Sequence, residues 1–127
     1  MTASARPTSY HYAVDETLLR TIAAEIQAVI PGAEVRLFGS RARGTARPDS
    51  DLDLLVTVPD AWLASHSRLE QTDALGWKLA YHRLPIELLL FSSSEVEQRR
   101  HGSSNVIAEA FRYGRRLDPA EPLHGPG

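Results

Sequence analysis

The chain has 127 residues, 43% of them hydrophobic and 24% charged, with a formal net charge of -2. That length fits one domain able to bury a real core, and the near-neutral balance gives no reason to expect direct nucleic-acid binding. The absence of cysteine excludes disulfides and thiolate zinc sites, no apolar stretch is long enough to span a bilayer, and the polar beginning lacks a signal-peptide core, which makes the cytoplasm the default location.

In chain order, residues 1–14 are polar and irregular and are expected to form a flexible arm. From Asp15 to Ile30 the spacing predicts an amphipathic helix, with Leu19, Ile22, Ala23, Ile26, Val29 and Ile30 on one face and Pro31-Gly32 as the stop. Glu34-Val35-Arg36-Leu37-Phe38 reads as a short strand running into Gly39-Ser40. A second strand pattern starts at the Asp51-Leu52-Asp53 pair, with Leu52, Leu54, Val56 and Val58 on its apolar side. Asp60 to about Tyr81 is a less regular helical region that Gly76 weakens or marks as a packing point. Leu84 to Phe91 is an apolar run of strand length with a single charge, Glu87. Ser94-x-x-Glu97 has the pattern of a capping box opening a short helix that ends near Gly102. A last helix is expected from Ser104 to Tyr113, ended by Gly114. The Pro-rich stretch 118–127 reads as a disordered tail, leaving 15–117 as the folded domain.

The chemistry is concentrated between Leu37 and Val56. In an extended strand Asp51 and Asp53 emerge on the same side. Two carboxylates so close repel each other unless a cation lies between them. Hard oxygen ligands suit Mg²⁺, which keeps water and substrate phosphates in the rest of its shell. Taken alone, Asp-x-Asp also suits a loop cap followed by a solvated edge strand. Ahead of the pair, Gly39 allows close backbone approach, and Ser40 adds a hydroxyl and an amide in the manner of an anion nest. Arg41, Arg43 and Arg47 follow, and Gly44 permits another sharp turn. Taken alone, these too could be a strand-ending turn and a solvated basic loop. Glu87, a lone carboxylate in an apolar strand, needs a partner or a cation unless it faces solvent on an edge. The five histidines show no metal-ligand spacing, and His82 and His101 read as structural or surface residues.

Gly39-Ser40-Arg41-Ala42-Arg43-Gly44 followed by Ser50-Asp51-Leu52-Asp53-Leu54 resembles the signature of the DNA polymerase beta-like nucleotidyltransferase superfamily, and within it the small minimal nucleotidyltransferases. The resemblance extends more loosely over about Thr17 to Leu117. It implies an α+β nucleotidyltransferase fold, a small mixed β-sheet flanked by helices. It also implies transfer of a nucleoside monophosphate from a nucleoside triphosphate, with ATP the family's commonest donor, to a hydroxyl. Two Mg²⁺ ions would be held by three acids, here Asp51, Asp53 and Glu87, although the family usually has Asp at the third position. Gly39, Ser40, Arg41, Arg43 and Gly44 would bind the nucleotide. Minimal members that resemble this chain are often paired, as antitoxins, with an all-helical protein of the HEPN family. A nucleotide-binding module that neutralises its partner by occlusion, or a small-molecule transferase of the aminoglycoside type, are the alternative readings.

Overall fold

The computed structural model describes residues 14–119. The expected arm and tail therefore lie outside the described residues, except for Val14 and for Asp118 and Pro119. In order, the elements are α1 (Glu16–Val29), β1 (Glu34–Phe38), α2 (Ser40–Arg43), β2 (Leu52–Val58), α3 (Asp60–Ala64), α4 (Arg68–Leu79), a 3-10 turn (Ala80–His82), β3 (Ile86–Ser92), α5 (Ser93–Arg99), α6 (Val106–Tyr113) and β4 (Arg115–Leu117). The strands form one mixed sheet in the order β3-β2-β1-β4. β2 and β3 run parallel, joined through α3 and α4, while β1 is antiparallel to both β2 and β4. This is the α+β sheet flanked by helices that the family resemblance implied.

The main core lies on one side of the sheet, under α1 and α4. Leu52, Leu54, Val56 and Val58 are each fully buried there, as strand alternation required. They meet Leu19, Ile22, Ala23 and Ile26 of α1 and Leu75 and Leu79 of α4. Asp15 caps α1 by accepting the Leu18 amide at 2.9 Å. A 3-10 turn after α4 is tied back to α1, where His82 Nε2 lies 2.7 Å from Glu25 Oε1 and the Tyr81 hydroxyl donates to the same carboxylate. His82 is thus structural. The other side of the sheet carries a smaller core of Phe38, Leu55, Val96, Ile107 and Ala110, covered by α5 and α6.

Four expectations change. The helical region after Asp60 is two helices, because Ser67 starts α4 afresh by accepting the Glu70 amide at 3.3 Å and Trp62 stacks on His66 at the corner with ring centroids 4.0 Å apart. The capping box belongs to Ser92 and Glu95 rather than Ser94 and Glu97. The Glu95 amide donates to Ser92 Oγ at 3.2 Å, and the Ser92 amide donates to Glu95 Oε1 at 2.9 Å. Ser94 instead donates its amide to Asp60 Oδ1 at 2.9 Å, fastening α5 to α3. The last helix starts at Val106, where Asn105 caps it by accepting the Ala108 amide at 2.8 Å. Finally, Arg115–Leu117 forms a short fourth strand beside β1, which the sequence pattern did not reveal.

Candidate active site

The pairing register assembles the acids. Asp53 pairs with Phe38 on one side and with Glu87 on the other, so these residues stand abreast on three adjacent strands. Partners in register project to the same face, so Glu87 shares the face of Asp53. Asp51 lies one residue before β2 and joins the same group, with one carboxylate oxygen from each of Asp51, Asp53 and Glu87 within 4.8 Å of the others. Glu87 is exposed on an edge strand, as the blander reading had it, yet it still turns toward the pair. Asp51 is exposed and Asp53 half-buried.

The electrostatics follow from that packing. The Asp53 carboxyl is pushed up to about 6, first by burial and then by the negative charge of Glu87, with which it can share a proton, and of Asp51. Arg41 opposes the rise. Carboxylates crowded at this spacing repel one another, and a divalent cation between them reverses the sign of the interaction. The donor set is all carboxylate, hard and partly open to solvent, which fits Mg²⁺ with room for water or phosphate ligands.

The Gly39-Ser40 turn abuts this group. Gly39 has φ 77 and ψ -158, a conformation that L side chains rarely adopt. A Cβ at this position would also collide with the Asp53 carboxylate. Glycine is therefore required twice, by its backbone and by its neighbour. Ser40 begins α2, and the amides of Ser40 and Arg41 have no partner one turn earlier. Gly44 ends α2 in the left-handed region at φ 76, and its own amide bonds to Ser40 O.

The arginines divide. Arg41 is committed to the loop before the acids, donating through Nη2 to Ser50 O at 2.8 Å and to Pro48 O at 3.3 Å, and through Nε to Ser50 O at 3.3 Å. Its geometry is that of a brace holding Asp51 in place. Arg43 instead pairs with Glu109 of α6 at 3.0 Å and is about half exposed. Sequence reasoning assigned both to the nucleotide and missed these tertiary partners, because nothing local links Arg43 to Glu109. A hollow of about 230 Å³ beside the loop is lined by Arg41, Gly44, Ala46, Glu16 and Arg115, and by none of the three acids.

Residues 19–112 match the nucleotidyltransferase domain family. The chain belongs to that family. It is accordingly a nucleotidyltransferase, a class that uses a nucleoside triphosphate and divalent metal. No curated protein matches the chain. Among solved structures it is similar to a toxin-antitoxin with AMP-PNP, with 22% identity over 76% of this chain and 70% of that one and a TM-score of 0.51. It is also similar to a toxin-antitoxin MntA-HpeT mutant, with 20% identity over the same shares and a TM-score of 0.52. At these identities the likeness speaks for the shared fold. No described helix is long and apolar enough to cross a membrane.

Proposed function

We propose that this nucleotidyltransferase transfers AMP from ATP to a hydroxyl on a partner protein, as the antitoxin of a toxin-antitoxin pair. The observation that carries the chemistry is the convergence of Asp51, Asp53 and Glu87 beside Gly39. The adenine nucleotide and the toxin partner are supported by the two similar structures, one with AMP-PNP and both toxin-antitoxin assemblies. A partner of the HEPN class fits the family resemblance.

In this reading Asp51, Asp53 and Glu87 would hold two Mg²⁺ ions, which would supply charge neutralisation for the triphosphate and the departing pyrophosphate. Gly39, Ser40 and the free amides that open α2 receive the β- and γ-phosphates, with Gly44 shaping the end of the turn. The acceptor oxygen attacks the α-phosphorus in line, the bond to the β-phosphate oxygen breaks, and pyrophosphate leaves with that electron pair. The acceptor proton passes to the Glu87 carboxylate, whose extra methylene and exposed edge position let it reach outward. Arg41 keeps Asp51 in position, and Arg43 can leave Glu109 to meet the phosphates.

The test uses the co-purified complex, Mg²⁺, and ATP labelled at either the α- or the γ-phosphate. Label from the α-position appearing on the partner, with none from the γ-position, supports AMP transfer. Stoichiometric binding with no covalent label overturns it in favour of the occluding module. Label appearing on an added aminoglycoside and not on protein would make the acceptor a small molecule.

A further inference from the structure

β3 is an edge strand, with β2 on one side and, among the described residues, no strand on the other. Two contacts fix which of its main-chain groups face outward. The Leu52 amide donates to Pro85 O at 2.8 Å. Main-chain groups alternate sides along a strand, so Glu87, Leu89 and Phe91 also turn theirs toward β2. At the far end the Ser92 amide donates to Glu95 Oε1 at 2.9 Å and not to β2, in keeping with the same phase. Ile86 and Leu88 therefore direct both N–H and C=O away from the sheet. Among the described residues these groups have no partner. Leu90 is only 3% exposed, so the open stretch is the start of the strand.

Edges of this kind are commonly blunted by several charges, a proline or a bulge. From Ile86 onward the only charge in β3 is Glu87, which belongs to the acid group. Free donors and acceptors in strand geometry have one natural complement, another extended main chain. Glu87 lies between the two unpaired residues. In an antiparallel addition the residue facing it takes the non-hydrogen-bonded position, with Cα atoms about 4.5 Å apart and side chains on one face. That face is the one carrying Asp53. The residues on either side project to the opposite face, where Arg83, Leu84, Pro85 and Ile86 line a hollow of about 350 Å³.

We propose that the acceptor is an extended segment of the partner protein, added as a strand to the free edge of β3 with its hydroxyl residue opposite Glu87. This rests on the transfer reading above and names how the acceptor is presented. The segment comes from a loop or tail of the partner, because a helix spends its main-chain groups on itself. An apolar residue next to the hydroxyl enters the hollow beside Ile86. The hydroxyl oxygen bonds to the α-phosphorus as the bond to the β-phosphate oxygen breaks. Pyrophosphate leaves with that electron pair, and the proton goes to the Glu87 carboxylate.

Leu88→Pro tests the edge without touching an acid. The Leu88 amide is not used by β2, so proline leaves the ladder whole while its ring blocks the line of approach. In the complex with the co-purified partner, Mg²⁺ and α-labelled ATP, labelling of the partner should fall by about tenfold or more. The affinity of the variant for AMP-PNP with Mg²⁺, measured by calorimetry, should match wild type, and circular dichroism verifies the fold. Amide hydrogen exchange of the wild-type chain needs no substitution and keeps the test open should Leu88→Pro fail to fold. Ile86 and Leu88 should exchange quickly in the chain alone and slow by about tenfold or more in the complex. Leu89, already turned to β2, should be slow in both. Labelling by Leu88→Pro equal to wild type, or Ile86 and Leu88 amides left unprotected in the complex, overturns the edge and leaves the transfer reading standing. A wild-type chain that puts no α-label on the partner removes the transfer reading, and the edge proposal with it.

Discussion

The two sides of the sheet are built by different rules. Under α1 and α4, the strand residues Leu52, Leu54, Val56 and Val58 show no exposure at all, and the helices that cover them are apolar along their inner faces. On the opposite side the same strands carry Asp53, Glu87 and Arg36, with a small apolar cluster between them. There the aromatic residues are faced by charge. The guanidinium groups of Arg36 and Arg100 lie 4.1 and 4.2 Å from the centroid of Phe111, and those of Arg68 and Arg99 each lie 5.2 Å from that of Phe91. Arg36 is held below the ordinary arginine range, chiefly by burial and then by the Arg100 charge. One side therefore supplies stability and the other stores unfavourable charge at defined places. The sheet can hold a crowded acid group at the edge of one face because the other face is dry and close-packed.

The strongest test of that division is Asp53→Asn. Removing a carboxylate from the acid group should lower nucleotidyl transfer by about a hundredfold to a thousandfold, the range typical of losing a principal electrostatic group. In the same variant the metal-free melting temperature at neutral pH should hold or rise, because a disfavoured charge has gone. A large fall in melting temperature would mean that both faces serve stability. Leu54→Ala, one residue further along the same strand and on the opposite face, should do the reverse. Denaturant unfolding is expected to record a loss of about 2–5 kcal/mol, typical of a buried leucine, and the transfer rate of the remaining folded protein should be near normal.

A pH series sharpens the same contrast. The Asp53 carboxyl is raised from its ordinary value of 3.8 to about 6 in the folded chain. Its stabilising contribution is therefore complete below the unfolded value and lost as pH climbs through about 6. Metal-free protein should melt at progressively lower temperature across that interval. Mg²⁺ competes with the proton, so its stabilisation should be weak below about pH 6 and strong above it. Thermal melts with and without Mg²⁺ measure both trends, and parallel curves would contradict the link. The smallest expected effect is Arg43→Ala, because the exposed Arg43–Glu109 pair at 3.0 Å should contribute no more than about 1 kcal/mol to folding. A change in the Michaelis constant for ATP that exceeds this structural cost would place Arg43 on the nucleotide.

The elements most legible in the sequence were those whose pattern is local. The α1 stripe, the alternation through β2 and the lone Glu87 in β3 each carry their own signal, and the register then fell where strand length put it. The α5 start was ambiguous for a definite reason. Ser92-x-x-Glu95 and Ser94-x-x-Glu97 both satisfy the box pattern, and the point where β3 stops pairing with β2 selects the first. β4 was hidden because Arg115-Arg116-Leu117 is short and mostly charged. It becomes a strand only by pairing with β1, and Arg115 is anchored to Glu16 of α1 at 2.7 Å. In the site, the Asp51/Asp53 pair stood out by its spacing and Gly39 by its turn, whereas Glu87 as a third acid came with the family resemblance. The divided duties of Arg41 and Arg43 could not be read, since their partners lie in a following loop and in a distant helix.

The missing methyl at position 39 has a consequence for how such a protein can change. Main chain from the turn and carboxylate from the neighbouring strand touch across the gap that a side chain would fill. Whatever displaces one displaces the other, so the course of the turn and the placement of the acid cannot be adjusted independently. Under the proposed transfer, variation that alters substrate preference would enter elsewhere, away from the turn and the acid that it touches.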